Sequence, residues 1–277
     1  MSDSLQFWNL VVRPFEAPWD ARFFFRGTQH LEALDRLIYL AQEGSMNFGM
    51  LTGEIGCGKT MVRAVLQQQL AGGSHRIVTF ENSCFSLDEL ALAILRRLSP
   101  PDAELPTGRL DRLEMLQQML QAMADEGRQV LLLLDETQEL NAQALNELRW
   151  LTNFNGGGRN VITIVLIGQP NLQALVDSIP AINQRISLRY HLRPLPAEEV
   201  PEYLAHRLHV AGHPTGQLFD ADAASLLHRV SRGVPREINR LAKLALEHGW
   251  LTGAACLNAA SVQAVFGDLQ RQQAVIP

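Results

Sequence analysis

Gly53-Glu54-Ile55-Gly56-Cys57-Gly58-Lys59-Thr60 is the stretch that decides how this chain is read. It fits G-x-x-x-x-G-K-[ST], a pattern in which each residue type has a physical reason. Glycines let the backbone curl until successive N–H groups point inward at phosphate oxygens. Lys59 reaches toward the β- and γ-phosphates, and the Thr60 hydroxyl suits Mg²⁺. The helix that begins near Lys59 adds its positive dipole end to the same cradle. Glu54, Ile55, Cys57 and Met61 complete the candidate nucleotide contacts.

The context supports the motif. Residues 47–52 form a short apolar run entering the loop, as a buried strand does. Residues 60–70 follow with Met61, Ala64, Val65 and Leu66 at helical spacing. Strand, glycine loop and helix in that order make this a nucleotide-binding sequence with ATP and Mg²⁺ as the expected cofactors.

A second apolar run, Val130-Leu131-Leu132-Leu133-Leu134, ends in Asp135-Glu136. Such a run suits a parallel strand buried on both faces, and α/β sheets present ligands at the C-terminal ends of their strands. Asp135 is read as the Mg²⁺ carboxylate alongside Thr60. Glu136 is read as the group that orients and polarises the attacking water. A further apolar strand over residues 161–167 ends in Gly168-Gln169-Pro170, which places Gln169 beside those carboxylates as a γ-phosphate sensor. Arg185 is the first candidate for an arginine finger reaching a neighbouring subunit, and Arg189 the second.

The rest of the chain frames these elements. Residues 1–27 are aromatic and aperiodic, with Pro14 and Pro18 opposing any helix. Helices are expected over 28–43, 109–126 and 141–154, and Ser86-Leu87-Asp88-Glu89 forms a capping box that opens another. Asn155-Gly156-Gly157-Gly158 reads as a connector or as a pore- or DNA-side loop. From Pro196 the pattern is helical only, over 197–211, 221–231, 235–248 and 259–266. Gly233-Val234-Pro235-Arg236 sits among these, and Arg236 is placed to reach the phosphates.

Composition bounds the function classes. The chain has 277 residues, 47% hydrophobic and 19% charged, as in an ordinary globular protein. A formal net charge of −5 argues against a general nucleic-acid-coating surface. No apolar run reaches membrane-span length, so a soluble, cytoplasmic chain is expected. Cys57, Cys84 and Cys256 show neither disulfide nor zinc spacing. Cys57 is read as a small filler in the loop or as a redox-sensitive gate.

Taken together, the loop, the D-E strand, G-Q-P, Q-R-I and G-V-P-R resemble the AAA+ ATPases, and more narrowly the ExeA (GspA)-like group. Pro14-Phe15, Arg22-Phe23-Phe24, Asp135-Glu136-Thr137-Gln138 and residues 148–154 carry the narrower likeness. The resemblance implies a P-loop α/β fold, a five-stranded parallel sheet sandwiched by helices, and a C-terminal all-helical lid. It divides the chain into a strap (1–27), an AAA+ domain (28–194), a lid (195–267) and a tail (268–277), and it puts an adenine pocket near the start of the 28–43 helix.

By position, Lys59 and Thr60 correspond to Walker A, Asp135 and Glu136 to Walker B, Gln169 to sensor 1, Arg185 to the finger and Arg236 to sensor 2. ATP hydrolysis and self-assembly into a hexameric ring or helical filament are implied. Transposition ATPases such as TniB, TnsC and MuB are also similar, so two roles stay open. One is a DNA-associated regulator that binds duplex DNA and recruits a transposase. The other acts on a protein partner in an envelope, secretion or pilus complex.

Overall fold

The computed structural model describes residues 2–16, 19–81, 86–156 and 159–274. Cys84, Pro18 and the Gly157-Gly158 tip lie outside these residues. The chain forms two compact units. One comprises residues up to 31, 54–64 and from 193 onward; the other comprises 32–53 and 65–192.

The second unit is built on a five-stranded parallel sheet. Its strands are β1 (Phe48–Gly53), β2 (His75–Phe80), β3 (Gln129–Leu134), β6 (Ile162–Gly168) and β7 (Ile186–Leu192). The order is β2-β3-β6-β1-β7, with Val130 opposite Ile162 and Phe48 opposite Ile164. The central strands are buried on both faces, which is why their sequences are continuous apolar runs rather than alternating ones.

Alternate residues serve opposite faces. Phe48, Met50, Val78, Phe80, Leu132, Leu134, Ile164 and Leu166 share one apolar core with helices α4 (Leu87–Leu98) and α5 (Arg109–Asp125). Helices α6 (Ala142–Glu147), α7 (Asn171–Asp177) and α8 (Pro180–Asn183) complete that layer. On the other face, Leu40 of α2 (Thr28–Glu43) lies where a side chain at Gly49 would stand. Gln67 of α3 (Lys59–Leu70) donates to Thr79 Oγ1 at 2.8 Å. The expected capping box is present: Ser86 accepts from the Glu89 amide and the Glu89 carboxylate accepts from the Ser86 amide.

Two local expectations are corrected here. The helix expected over 141–154 ends at Glu147 and continues as a 3-10 segment, Leu148–Asn153. There Leu148 and Leu151 are buried three residues apart, and the Thr152 hydroxyl bonds the Arg149 carbonyl, both of which suit three residues per turn. The residues after it pair as a short antiparallel ribbon, β4 (Asn155–Gly156) with β5 (Arg159–Asn160).

The first unit is helical. It holds α1 (Ser2–Phe7), α9 (Val200–Val210), α10 (Ala221–Ser231), α11 (Pro235–Thr252) and α12 (Ala259–Ala274). The N-terminal stretch is thus not wholly irregular: α1 forms ahead of the prolines and stops where Asn9 turns left-handed at φ 52°. Helix α12 runs on to Ala274, through most of the segment expected to be a tail.

The aromatic N-terminal residues pack on these helices. Trp8 Nε1 donates to the Leu246 carbonyl at 3.0 Å. Arg207 is 2% exposed; its Nε donates to the Pro14 carbonyl, and its guanidinium lies 4.7 Å from the Phe23 ring centroid and 5.9 Å from that of Phe15. Burying a guanidinium costs free energy unless other groups replace water; the Pro14 carbonyl, the Tyr203 hydroxyl and these ring faces offset part of that cost, while Nη2 is left without a hydrogen-bond partner among the described residues.

Candidate nucleotide site

The phosphate loop leaves β1 at Gly53 and enters α3 at Lys59. Gly53 closes the strand where any Cβ would stand 2.5 Å from the Leu192 carbonyl oxygen. Gly56 and Gly58 take φ of 87° and 104°, which only glycine adopts without strain.

Packing sets the same requirement. A Cβ on Gly56 would lie 2.7 Å from that of Arg236, and one on Gly58 2.8 Å from His30 Nε2. The loop is therefore braced from two sides. The Arg236 amide, in the first turn of α11, donates to the Gly56 carbonyl at 3.2 Å. His30 Nε2, in the first turn of α2, is 2.8 Å from the Cys57 carbonyl. A carbonyl only accepts, so Nε2 carries the hydrogen. Burial pushes the His30 pKa below its ordinary value, opposed by this hydrogen bond and by the charge of Glu199.

Inside the loop, Lys59 is 7% exposed and its Nζ donates to the Glu54 carbonyl at 3.1 Å. The ammonium thus sits against the loop's own backbone. Thr60, Glu54 and Ile55 are exposed, Met61 is buried beside them, and Arg236 projects its exposed side chain from α11. Cys57 is fully buried, and burial pushes its thiol pKa up. A thiol held protonated is a poor nucleophile, which favours the filler reading over a redox gate.

The second constellation lies at the carboxyl ends of β3 and β6. Asp135 is 6% exposed; its amide donates to the Phe80 carbonyl, and its Oδ1 accepts from the Glu136 amide at 3.0 Å. Glu136 has φ 50° and ψ 37°, left-handed for a residue with a side chain, and its carboxylate is exposed. Such strain persists only where surroundings enforce it, and it clusters at functional sites. Buried Thr137 enforces it from the next position, its hydroxyl donating to the Leu134 carbonyl at 2.7 Å.

Gln169 lies beside Glu136, as its place after β6 predicts, with Nε2 3.5 Å from Glu136 Oε2. Closer still is Gln138, to which sequence reading gave no role: its Nε2 is 2.6 Å from the same oxygen. The two arginines also separate. Arg189 pairs with Asp177 at 3.5 Å and with the Asn183 side chain. Arg185 donates to the Ala181 carbonyl at 2.9 Å, and among the described residues no carboxylate pairs with it.

The donor sets fit the expected groups. Left-handed glycines, a lysine and a helix start suit a triphosphate. The Thr60 hydroxyl and the Asp135 carboxylate are each, taken singly, the kind of hard oxygen donor that Mg²⁺ accepts. Among the described residues no helix is long and apolar enough to cross a membrane.

Residues 42–176 match the AAA domain family. General secretion pathway protein A of Aeromonas hydrophila is 34% identical over 251 residues, which is 90% of this chain and 45% of that protein. The chain therefore spans about half the length of the curated relative it matches. Among solved structures, the Aeropyrum pernix ORC2 protein in its ADPNP-ADP complexes superposes with a TM-score of 0.65 at 18% identity, over 88% of this chain and 67% of that one. Cdc6p from Pyrobaculum aerophilum gives 0.64 at 17%, over 86% and 68%. At such identities the likeness establishes the fold. With its five-stranded parallel sheet and its helical C-terminal region the chain has the AAA+ P-loop fold, its residues 42–176 match the AAA domain family, and over most of its length it is similar to secretion protein A.

Proposed function

We propose that this chain binds ATP with Mg²⁺ and hydrolyses it as a self-assembling switch acting on a protein partner of a secretion or envelope complex. The observation that carries the catalytic part is the braced phosphate loop, with left-handed Gly56 and Gly58 and a sequestered Lys59. Lys59 and the loop amides bind the phosphates, while Thr60 and Asp135 hold Mg²⁺, which neutralises charge on the phosphate oxygens. Glu136 accepts a proton from water as the water oxygen bonds to the γ-phosphorus. The bond from that phosphorus to the bridging oxygen breaks, leaving ADP and phosphate. Gln169 helps place the water, and Arg236 contacts the phosphates.

Arg185, free of a carboxylate partner among the described residues, is the better finger for a neighbouring subunit's nucleotide; Arg189 is already committed to Asp177. ATP as substrate argues for work on the cytoplasmic side. The relative named for general secretion puts a protein partner ahead of the DNA-transposition role.

The test is light scattering of the full chain with ATP or a slow analogue, with and without duplex DNA, alongside phosphate release. Assembly driven by nucleotide and indifferent to DNA is expected. Assembly that needs DNA and weakens steeply with salt would favour the transposition role instead. Absence of both nucleotide binding and hydrolysis would overturn the ATPase reading itself.

A further inference from the structure

Gln138 touches both halves of the second constellation. Its Nε2 donates to Glu136 Oε2 at 2.6 Å and its Oε1 accepts from the Gln169 amide at 3.0 Å. A longer contact, 3.4 Å, runs from Nε2 to Glu139 Oε1. Gly168 is shaped to this bridge, because a Cβ there would stand 2.5 Å from Gln138 Oε1.

We propose that Gln138 is a positioning residue, a single amide that fixes the rotamer of Glu136 and ties it to the Gln169 loop. This rests on the ATPase reading above. An exposed carboxylate has several rotamers, and a general base works only when its lone pair faces the proton it takes. Two amide donors, from Gln138 and Gln169, fall on one oxygen, Oε2. Among the described residues Oε1 receives none, so it is the oxygen presented to water. The left-handed backbone at Glu136 sets the direction in which the side chain leaves the strand end, and the bridge sets where it stops. Because one amide spans both strand ends, movement of the Gln169 loop re-aims the carboxylate.

Two measurements on the full chain test this. In steady-state hydrolysis, Gln138→Ala is expected to lower kcat about tenfold, with binding of a non-hydrolysable ATP analogue unchanged. Gln138→Glu keeps the length and the acceptor for the Gln169 amide but sets a second carboxylate against Glu136. The repulsion turns the carboxylate away, so kcat is expected to fall as far as in Gln138→Ala, again with analogue binding unchanged. Full kcat in either variant overturns the proposal.

The second readout needs no turnover. The Gln138 side-chain NH₂ cross-peak, assigned by its loss in Gln138→Ala, is expected to shift in Glu136→Ala, which removes its acceptor. A cross-peak unmoved by that substitution sinks the bridge even if the ATPase reading stands. A cross-peak that moves in a chain that never hydrolyses ATP sinks the ATPase reading and leaves the bridge intact.

Discussion

The phosphate loop and the end of β3 use left-handed backbone in opposite ways. In the phosphate loop the positive φ angles fall on Gly56 and Gly58, where they carry no strain and where any side chain would strike Arg236 or His30. At the end of β3 the positive φ falls on Glu136, which bears a side chain and pays a conformational cost. In the loop the backbone itself is the binding surface, so side chains are removed. At Glu136 the side chain is the working part, and the backbone is bent to aim it.

Breaking the two regions separately tests that contrast. Glu136→Gln keeps the shape but cannot take a proton; a loss of hydrolysis of about a hundredfold or more is expected, with ATP-analogue affinity retained. Lys59→Ala should act the other way, weakening nucleotide binding by about tenfold to a hundredfold through loss of one charge-assisted contact. If Lys59→Ala bound the analogue normally, the loop would not be the phosphate site.

Stability sharpens the comparison. Gly58→Ala introduces both a disfavoured φ and a contact with His30, and should lower unfolding free energy by about 2 kcal/mol in a denaturant titration. Glu136→Gly relieves the strain while adding unfolded-state entropy, so its net change should stay within about 1 kcal/mol.

The smallest effect concerns pH. The His30 pKa is depressed by burial, so the unfolded chain binds the proton more readily. Its contribution is complete above about pH 6.5 and is lost as pH falls below that value. His206 and His213 are depressed in the same direction by burial, so the informative quantity is a difference. His30→Gln keeps a donor for the Cys57 carbonyl, and should show a shallower loss of melting temperature between pH 7 and 5.5 than the wild type. An identical slope would mean that His30 does not titrate with unfolding.

What the sequence made legible follows the same division. Gly53 to Thr60 states its own conformation, because phosphate binding by backbone leaves a fixed pattern of glycines. The strand ending in Asp135-Glu136 was legible from its unbroken apolar run, and Gln169 from its place after the next such run. The bend at Glu136 was not legible, since glutamate is not a residue that advertises positive φ. Nor were the supports: His30 is one of several polar residues on an amphipathic helix, and Gln138 becomes meaningful only when β3 and β6 lie side by side. Helices α7 and α8 were missed because seven and four residues hold too few turns to show periodicity.

The braces on the phosphate loop bear on how this protein can be cut and recombined. His30 and Arg236 both lie outside the stretch 42–176 that matches the AAA domain family, yet each supplies a hydrogen bond to the loop between them. A fragment trimmed to that stretch would keep every residue of the motif and lose both its supports. A chimera that exchanges the loop with a relative's should therefore carry the start of α2 and the start of α11 with it, because the inherited part is one piece in space and three in sequence.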